Sequence, residues 1–276
     1  MKRCYMLIIA SVFASGIAYP QTSESIQPIT LIEARNGSGP GEFSIMPEEE
    51  GPWPGLVIDN QEHIYILDTL NNRLQEYDET GKLVRSIAIP SSSPTTSEER
   101  MRDLPALIGI VEAIGFINGS ICVLQQRNVA DSMHPAPPHL LCLRGDGFVN
   151  ADHDKDASTI LKTLAPAHYN ALHARELNEG FAQLGTTEEK FRSRHPLEKS
   201  KYIFRILRDK NRNVWSVGNG VRVYSPMGTL IYEKSEPYFI TSEFSRRGNL
   251  YVMAYFIDSA TKYWAIRVTK YSLFGK

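Results

Sequence analysis

The sequence has little cysteine, no excess charge of either sign, and no long apolar segment beyond its first residues. Three cysteines in 276 residues exclude a disulfide-dense scaffold of the kind that small secreted domains use in place of a core. Lysine and arginine number 30 against 31 aspartates and glutamates, so the net charge of −1 indicates no whole-molecule attraction to nucleic acid. After the N-terminus, no run reaches the roughly 20 apolar residues that span a bilayer.

Sequence signatures of common reaction centres are also missing. No G-x-S-x-G motif marks a serine hydrolase, and no HExxH pair marks a zinc peptidase. The glycine-rich residues 37–41 lack the GxGxxG spacing of a phosphate-binding loop, and no helical pattern follows them. We therefore predict no catalytic, cofactor-binding or metal-binding residue from motifs.

The first 18 residues have the pattern of a secretory signal peptide. Lys2 and Arg3 precede an apolar run at residues 5–14, and Gly16-Ile17-Ala18 is a small-x-small cleavage pattern. We expect cleavage near Ala18, which would place the mature chain in the periplasm or outside the cell. An uncleaved membrane anchor is the alternative.

Residues 54–89 predict the building unit of the fold. Short apolar runs alternate there with turns rich in Asp, Asn and Gly, a pattern typical of a four-stranded antiparallel meander. The run Ile64-Tyr65-Ile66-Leu67 is apolar at every position, which is typical of a strand covered on both faces. One meander cannot cover both of its own faces, so the unit requires neighbours of the same kind.

The same unit recurs along the chain. The matching segments are residues 59–67, 209–217 and 247–253 and, more weakly, residues 118–124 and 178–184. The second strand of each unit is predicted to begin near Ile64, Ile121, Phe181, Val214 and Leu250. The shorter spacings fit four-stranded blades of roughly 40 residues. Five blades are readable, and the longer spacings leave room for a sixth.

Several motifs of the first unit resemble an NHL repeat. They are GPGEF at residues 39–43, PGLVID at 54–59, IYILD at 64–68 and NNRLQEY at 71–77. The resemblance is close over residues 39–85 and partial over 205–232. It implies an all-β fold, a β-propeller that is often six-bladed. Members of this family include scaffolds, protein and RNA binders, and a few lyases or related hydrolases, so the motif specifies the blade and not the activity.

The two ends of the chain are predicted to meet. The C-terminal region offers three strands, at residues 238–241, 249–256 and 264–271, and residues 29–33 can supply the fourth. Closing the ring in this way removes sheet edges that would otherwise pair with other chains. We therefore predict one propeller domain over residues 19–276, with an irregular insertion around 150–200. An unclosed N-terminal arm is the alternative.

Cys122 and Cys142 remain after removal of the leader, and each lies in a predicted strand. If the proline-rich loop between these strands closes symmetrically, paired residue numbers sum to about 265, and the two cysteines sum to 264. They would then lie almost opposite each other. An oxidising compartment favours a disulfide between them, and two separate buried thiols are the alternative.

Two polar clusters are interpreted as structural, with a functional cluster near a propeller face as the alternative for the first. Asp68 and the turn at residues 71–73 lie at a strand end, where such side chains hydrogen-bond their own backbone. Residues 152–156 have carboxylates at alternate positions, as at the start of a calcium-binding loop. However, Ala157 stands where that loop needs glycine, and Thr163 where it needs glutamate, which favours a solvated loop.

The one charge anomaly is at residues 190–212, where nine basic residues face only Glu198 and Asp209. Aromatic residues lie among these cations, and such interleaving is typical of surfaces that bind anionic polymers. The candidate anion-binding residues precede the next strand in a predicted loop, and they are Arg192, Arg194, Lys199 and Lys201. Alternatively, the charges are a solvated surface.

The leading hypothesis is a secreted or periplasmic propeller that acts as a binding or scaffold protein. It needs no cofactor, is expected to be a monomer, and would bind a protein or an anionic glycan but no nucleic acid. The alternative is a propeller-type lyase or lactonase that holds calcium or zinc in its central channel with ligands from several blades.

Overall fold

The computed structural model describes residues 26–45, 55–90, 111–117, 119–125, 139–151, 177–199, 201–236 and 238–272. The predicted signal peptide and the calcium-like loop at residues 152–156 lie outside these ranges. Among the helices that are described, none is long and apolar enough to cross a membrane.

The strands of these ranges form four antiparallel sheets of four strands each. Sheet 1 contains β2 (Gly55–Ile58), β3 (Ile64–Asp68), β4 (Arg73–Tyr77) and β5 (Leu83–Ala88). Sheet 2 contains β6 (Val111–Ile117), β7 (Ser120–Gln125), β8 (His139–Arg144) and β9 (Gly147–Asn150). Sheet 3 contains β10 (Ile203–Arg208), β11 (Val214–Gly218), β12 (Gly220–Tyr224) and β13 (Leu230–Ser235). Sheet 4 contains β14 (Phe239–Phe244), β15 (Asn249–Ile257), β16 (Trp264–Ser272) and β1 (Ile29–Arg35).

The same tight turn joins the first two strands of sheets 1, 3 and 4. Its first residue, Asp59, Asp209 or Ser245, accepts hydrogen bonds from the following backbone through its side chain. Its fourth residue has a left-handed backbone, with φ of 71° at Glu62, 65° at Arg212 and 79° at Gly248. Short polar side chains that bond their own backbone favour this geometry. The alignment of these three segments in the sequence therefore reflects one local structure.

Both faces of β3 are covered, as predicted from its unbroken apolar run. Ile64 and Ile66 pack into a core shared with sheet 4, where Tyr251 and Met253 are buried. The alternate residues of β3 pack on the other side, in a core shared with β7 and β8 of sheet 2. A third core joins sheets 3 and 4. The four sheets therefore stack face to face in the order 2, 1, 4, 3.

The N-terminal strand completes the last sheet. β1 runs antiparallel to β16, from Ile29 opposite Lys270 to Arg35 opposite Ala265. The predicted fourth strand of this sheet is therefore confirmed. Closure of a complete ring stays a prediction, because residues 152–176, between sheets 2 and 3, lie outside the described ranges.

A buried carboxylate links sheet 1 to sheet 4. Glu62 accepts hydrogen bonds from Ser245 Oγ and Asn249 Nδ2, both at 2.5 Å, and from Lys270 Nζ at 2.8 Å. Burial acts to raise the pKa of Glu62, but these hydrogen bonds and the Lys270 charge lower the pKa overall. The turn of one sheet is thereby joined to two strands of the next.

The predicted strand near Phe181 is wrong, because residues 177–183 are helical. Leu177, Phe181 and Leu184 recur at intervals of four and three, which places them on one face of a helix. That face packs on sheet 3, and Gly180 allows the close approach: a Cβ there would lie 2.6 Å from the Ile206 carbonyl oxygen. The described ranges therefore contain four of the five predicted blades, and the total number stays a prediction.

The predicted cysteine pair is confirmed. Cys122 of β7 lies directly opposite Cys142 of β8, with a Cα–Cα separation of 4.0 Å and a disulfide between the two sulfurs. The partners on these two strands have numbers that sum to 264 throughout, because Gln125 pairs with His139 in the same register. A disulfide is typical of a protein that matures in an oxidising compartment.

Candidate functional site: a basic pocket beside the helical segment

Two of the four candidate anion-binding residues, Arg192 and Arg194, lie in a helical segment (residues 188–198) rather than in an extended loop. α1 (Glu188–Arg194) carries Arg192 and Arg194 in its last turn, and a 3₁₀ turn at Pro196–Glu198 leads to Lys199. Thr187 caps α1 by accepting a hydrogen bond from the backbone N–H of Lys190. Acidic residues in the first turn and basic residues in the last complement the helix dipole. The local sequence thus favours a helix, and the prediction of a loop was wrong for Arg192 and Arg194, whereas Lys199 and Lys201 lie outside the helices, before β10.

The guanidinium of Arg192 forms its hydrogen bonds within the helical segment and with the chain that follows it. Its Nε and Nη2 atoms donate to Glu188 Oε1 at 2.8 and 2.6 Å. Its Nη1 atom donates to the carbonyl of Glu198 and, at 2.9 Å, to the carbonyl of Lys201. Arg192 therefore ties the helix to the chain that enters β10, and its guanidinium is largely committed to the fold.

A buried ion pair anchors the segment to sheet 3. Glu198 and Arg222 are 0% and 1% exposed, and Arg222 donates from Nε to Oε1 at 2.6 Å and from Nη2 to Oε2 at 3.2 Å. Tyr224 donates its hydroxyl to the same carboxylate at 2.9 Å. Burial acts to lower the pKa of Arg222, but the hydrogen bond and charge of Glu198 raise it overall. Burial beside the same carboxylate raises the pKa of Tyr224.

His195 links this anchor to the surface. Its ring lies between Phe191 and Tyr224, with centroid distances of 4.4 and 4.2 Å. Burial lowers the pKa of His195 and so does the charge of Arg194, although Glu198 opposes them. The imidazole is therefore neutral at pH 7, and its Nδ1 atom is buried without a hydrogen-bond partner among the described residues.

His195 is part of the wall of a pocket of about 360 Å³. The pocket lies between the helical segment and the end of sheet 3. Its apolar lining comes from Leu184, Phe191, Val214, Pro226 and Met227. Its polar lining comes from Thr186, Arg194, His195, Arg208 and Ser225. An apolar interior with a few convergent polar groups is the usual composition of a small-molecule site.

Two arginines give this pocket a positive charge. Within the described ranges, neither Arg194 nor Arg208 has a carboxylate within 4 Å, and Arg208 donates only a long hydrogen bond of 3.4 Å to the Leu184 carbonyl. A guanidinium binds a carboxylate or phosphate through paired hydrogen bonds. The arrangement therefore suits an amphipathic anion, with its charge at the arginines and its apolar part against Phe191.

The structure separates the four predicted residues. Arg194 lines the pocket, whereas the half-buried Arg192 is hydrogen-bonded to Glu188 and to backbone carbonyls. Lys199 and Lys201 are exposed before β10, whereas Arg208 is the last residue of that strand. Six strand residues span about 20 Å, so the two lysines lie near the opposite end of sheet 3. Arg194 and Arg208 both belong to the basic run at residues 190–212, and the fold places them in the lining of one pocket. No sequence signal singled out His195.

The side chains of the turn after β3 make structural hydrogen bonds, but these go to one another and to the loop at residues 37–42 rather than to their own backbone. Asp68 Oδ2 accepts hydrogen bonds from Asn71 and Arg73, both at 2.8 Å. Arg73 also donates to the carbonyls of Ser38, Gly39 and Glu42. This turn therefore holds the glycine-rich entry to sheet 1 in place.

Within the described ranges, no three or more His, Cys, Asp or Glu side chains are placed to hold one metal ion. The predicted absence of cofactor and catalytic residues stays a prediction.

Comparison with known proteins found no matching family model and no matching curated protein. Among solved structures, a luciferin-regenerating enzyme is 11% identical, with a TM-score of 0.32, over 82% of this chain and 93% of that one. The calcium-binding protein regucalcin from Agrobacterium tumefaciens is 8% identical, with a TM-score of 0.31, over 83% and 96%. Virginiamycin B lyase from Staphylococcus aureus is 9% identical, with a TM-score of 0.24, over 84% and 69%. Similarities this weak assign neither a fold family nor an activity.

Proposed function

We propose that the protein is a secreted β-propeller of NHL-like blades that binds an amphipathic anion in the basic pocket. The observation that carries this proposal is that Arg194 and Arg208 both line one pocket with apolar walls, without a carboxylate of the described chain to neutralise them. Both guanidiniums are exposed at the rim of the pocket, where they can form paired hydrogen bonds with the charged group of a ligand.

The size and rigidity of the pocket support binding of a small molecule. About 360 Å³ lies near the lower end of the range for small-ligand sites. One wall is held in place by the buried pair of Glu198 and Arg222 and by the His195 ring, which packs at a tilt against Tyr224. Preorganised walls reduce the entropy cost of binding. The pocket therefore needs little rearrangement to accept a ligand.

The proposed propeller rests on the way that the sheets repeat. Four consecutive meanders stack face to face, and the N-terminal strand completes the last one. Propellers repeat four-stranded sheets in this manner. The secretion proposal rests on the leader pattern, and the disulfide is consistent with it.

The test measures binding of 4-phenylbutyrate, an amphipathic anion, by calorimetry or chemical-shift titration. The neutral amide of the same compound is the control ligand. Replacing both Arg194 and Arg208 with glutamine should weaken binding of the acid at least about tenfold, since hydrogen bonds to charged groups contribute about 1.5–3 kcal/mol each. The matched control is Lys199→Gln with Lys201→Gln, which removes the same charge about 20 Å away.

The control variant should bind the acid as the native protein does, and the amide should bind no variant detectably. Equal weakening in both double variants would mean that only net charge matters. No binding of the acid by the native protein would overturn the proposal for this probe class.

The enzyme alternative lacks a specific supporting observation within the described ranges, which contain no metal-binding cluster. Metal analysis of the purified protein tests it directly. One tightly held Zn²⁺ or Ca²⁺ per chain would favour a metal-dependent lyase or lactonase over a binding protein.

A further inference from the structure

Three tyrosines are exposed together at the opposite end of sheets 3 and 4 from the basic pocket. Tyr202, Tyr238 and Tyr263 are 50%, 48% and 70% exposed. Tyr202 precedes β10, Tyr238 precedes β14, and Tyr263 lies in the turn between β15 and β16. Because these three sites lie at the same end of two neighbouring sheets, we call them the tyrosine face.

Ring contacts hold the tyrosine face in place. Tyr202 lies 6.4 Å from Phe204, whose ring is in turn 5.1 Å from Phe239 of the next sheet. Tyr238 packs edge-on against Trp264 at 4.6 Å. Aromatic rings have few rotatable bonds and lose little entropy when a ligand binds. The face therefore offers ordered apolar surfaces, and large exposed apolar surfaces often mark interaction sites.

The surroundings of the tyrosine face are basic. Lys199 and Lys201 are exposed just before Tyr202, and Lys262 is exposed just before Tyr263. Arg35 is 70% exposed at the same end, 3.7 Å from Asp258, which is itself mostly covered. Cations thus flank the exposed rings on both sheets, and charge complementarity points to an acidic ligand.

We propose that the tyrosine face binds an acidic polysaccharide. A sugar ring has an apolar face that can lie on an aromatic ring and polar edges that can reach a tyrosine hydroxyl or a lysine. Carboxylates along the chain would pair with the flanking lysines. This site is separate from the basic pocket, and the inference does not depend on the function proposed there.

Salt dependence separates the two parts of this interaction. Attraction between exposed charges is screened within about 8 Å at physiological ionic strength, whereas stacking on rings is largely insensitive to salt. Loss of the lysines should therefore weaken binding at low salt and flatten its salt dependence. Loss of the rings should weaken binding by a similar factor at every salt concentration.

The experiment measures binding of polygalacturonate by affinity electrophoresis and calorimetry over a series of NaCl concentrations. The ring variant is Tyr238→Ser with Tyr263→Ser, and the charge variant is Lys199→Gln with Lys201→Gln. Phe116→Ser is the matched control, because Phe116 is also an exposed aromatic residue, at 41%, but belongs to sheet 2. Thermal unfolding of each variant establishes that it is folded.

We expect the ring variant to bind about tenfold more weakly at all salt concentrations, as the loss of two aromatic contacts implies. The charge variant should show a reduced salt dependence, and Phe116→Ser should bind normally. Failure of the native protein to bind polygalacturonate, or an unchanged affinity of the folded ring variant, would overturn the proposal. Equal binding to neutral dextran, or binding only to anionic lipid vesicles, would also overturn it. Loss of 4-phenylbutyrate binding in the arginine variants would leave this result unaffected.

Discussion

The replacement Glu198→Ala tests whether one buried ion pair holds the helical segment, and with it the basic pocket, on sheet 3. The change removes both hydrogen bonds of the carboxylate to Arg222 and the acceptor of the Tyr224 hydroxyl. Arg222 is 1% exposed and would keep only Glu233, with Nη1 3.9 Å from its carboxylate. A buried guanidinium would thus lose its main counter-charge.

The expected cost is large because the remaining charge cannot reach water. Removing one partner of a buried ion pair typically costs about 3–5 kcal/mol. For a domain of this size, each kcal/mol lowers the melting temperature by about 2–4 °C, so we expect a loss of roughly 10 °C. Glu188→Ala is the matched control: that carboxylate belongs to the same segment but is 42% exposed, and exposed pairs contribute only about 0–1 kcal/mol.

The assay is thermal and urea unfolding of Glu198→Ala, Arg222→Met and the double variant, together with 4-phenylbutyrate binding. The double variant should recover much of the lost stability, because it leaves no unpaired charge. A melting temperature of Glu198→Ala within about 2 °C of the native value, less than 1 kcal/mol, would refute the role of this pair. Strictly additive single variants would refute the coupling between Glu198 and Arg222.

Three further predictions concern the disulfide, two turn glycines and one histidine. Replacing Cys122 and Cys142 with serine should lower the free energy of unfolding by about 3 kcal/mol, because the bridge closes a loop with a separation of 20 residues; an unchanged urea midpoint would contradict this. Gly119→Ala should cost about 1 kcal/mol for its positive φ alone. Gly81→Ala should lower the melting temperature clearly further, because its Cβ would lie 2.1 Å from a β1 carbonyl oxygen; equal effects would exclude that contact. Because the pKa of His195 is lowered from 6.5, its contribution to stability is present above that value and is lost as the pH falls through the lowered pKa. His195→Phe should therefore lose less stability than the native protein between about pH 7.5 and about pH 5.5, as measured by urea unfolding.

Structural features that depend on residues close together in the chain were predicted correctly from the sequence. The strands of sheet 1 follow the apolar runs at residues 54–89, and the turns follow Asp, Asn and Gly. The unbroken run of β3 indicated two covered faces, because a strand side chain in water gains nothing from being apolar. The pairing of Cys122 with Cys142 followed from the symmetry of one hairpin. These features depend on backbone geometry and on neighbours close in the chain.

Features of the candidate site were partly readable. The excess of basic residues at 190–212 predicted candidate anion-binding residues, and one of them, Arg194, lines the pocket. The sequence did not reveal that the Arg192 guanidinium is hydrogen-bonded to Glu188 and to the Glu198 carbonyl of its own segment. A cation in a sequence looks the same whether it is free or paired, because pairing depends on which carbonyls and carboxylates the fold brings near it.

What the sequence by itself determined is the repeating antiparallel meander, its tight turns, the N-terminal strand that completes the last sheet, and the cysteine pair. Tertiary structure decided between helix and strand around Phe181, where the spacing of the apolar residues fits a helix. Burial of that apolar face against sheet 3 outweighed the weak similarity of the segment to a strand. Tertiary structure also decided the site, since Glu198 meets Arg222 across 24 residues and Glu62 meets Lys270 across 208. Such pairs form because the fold removes these charges from water together, and no local pattern records which partner will be there.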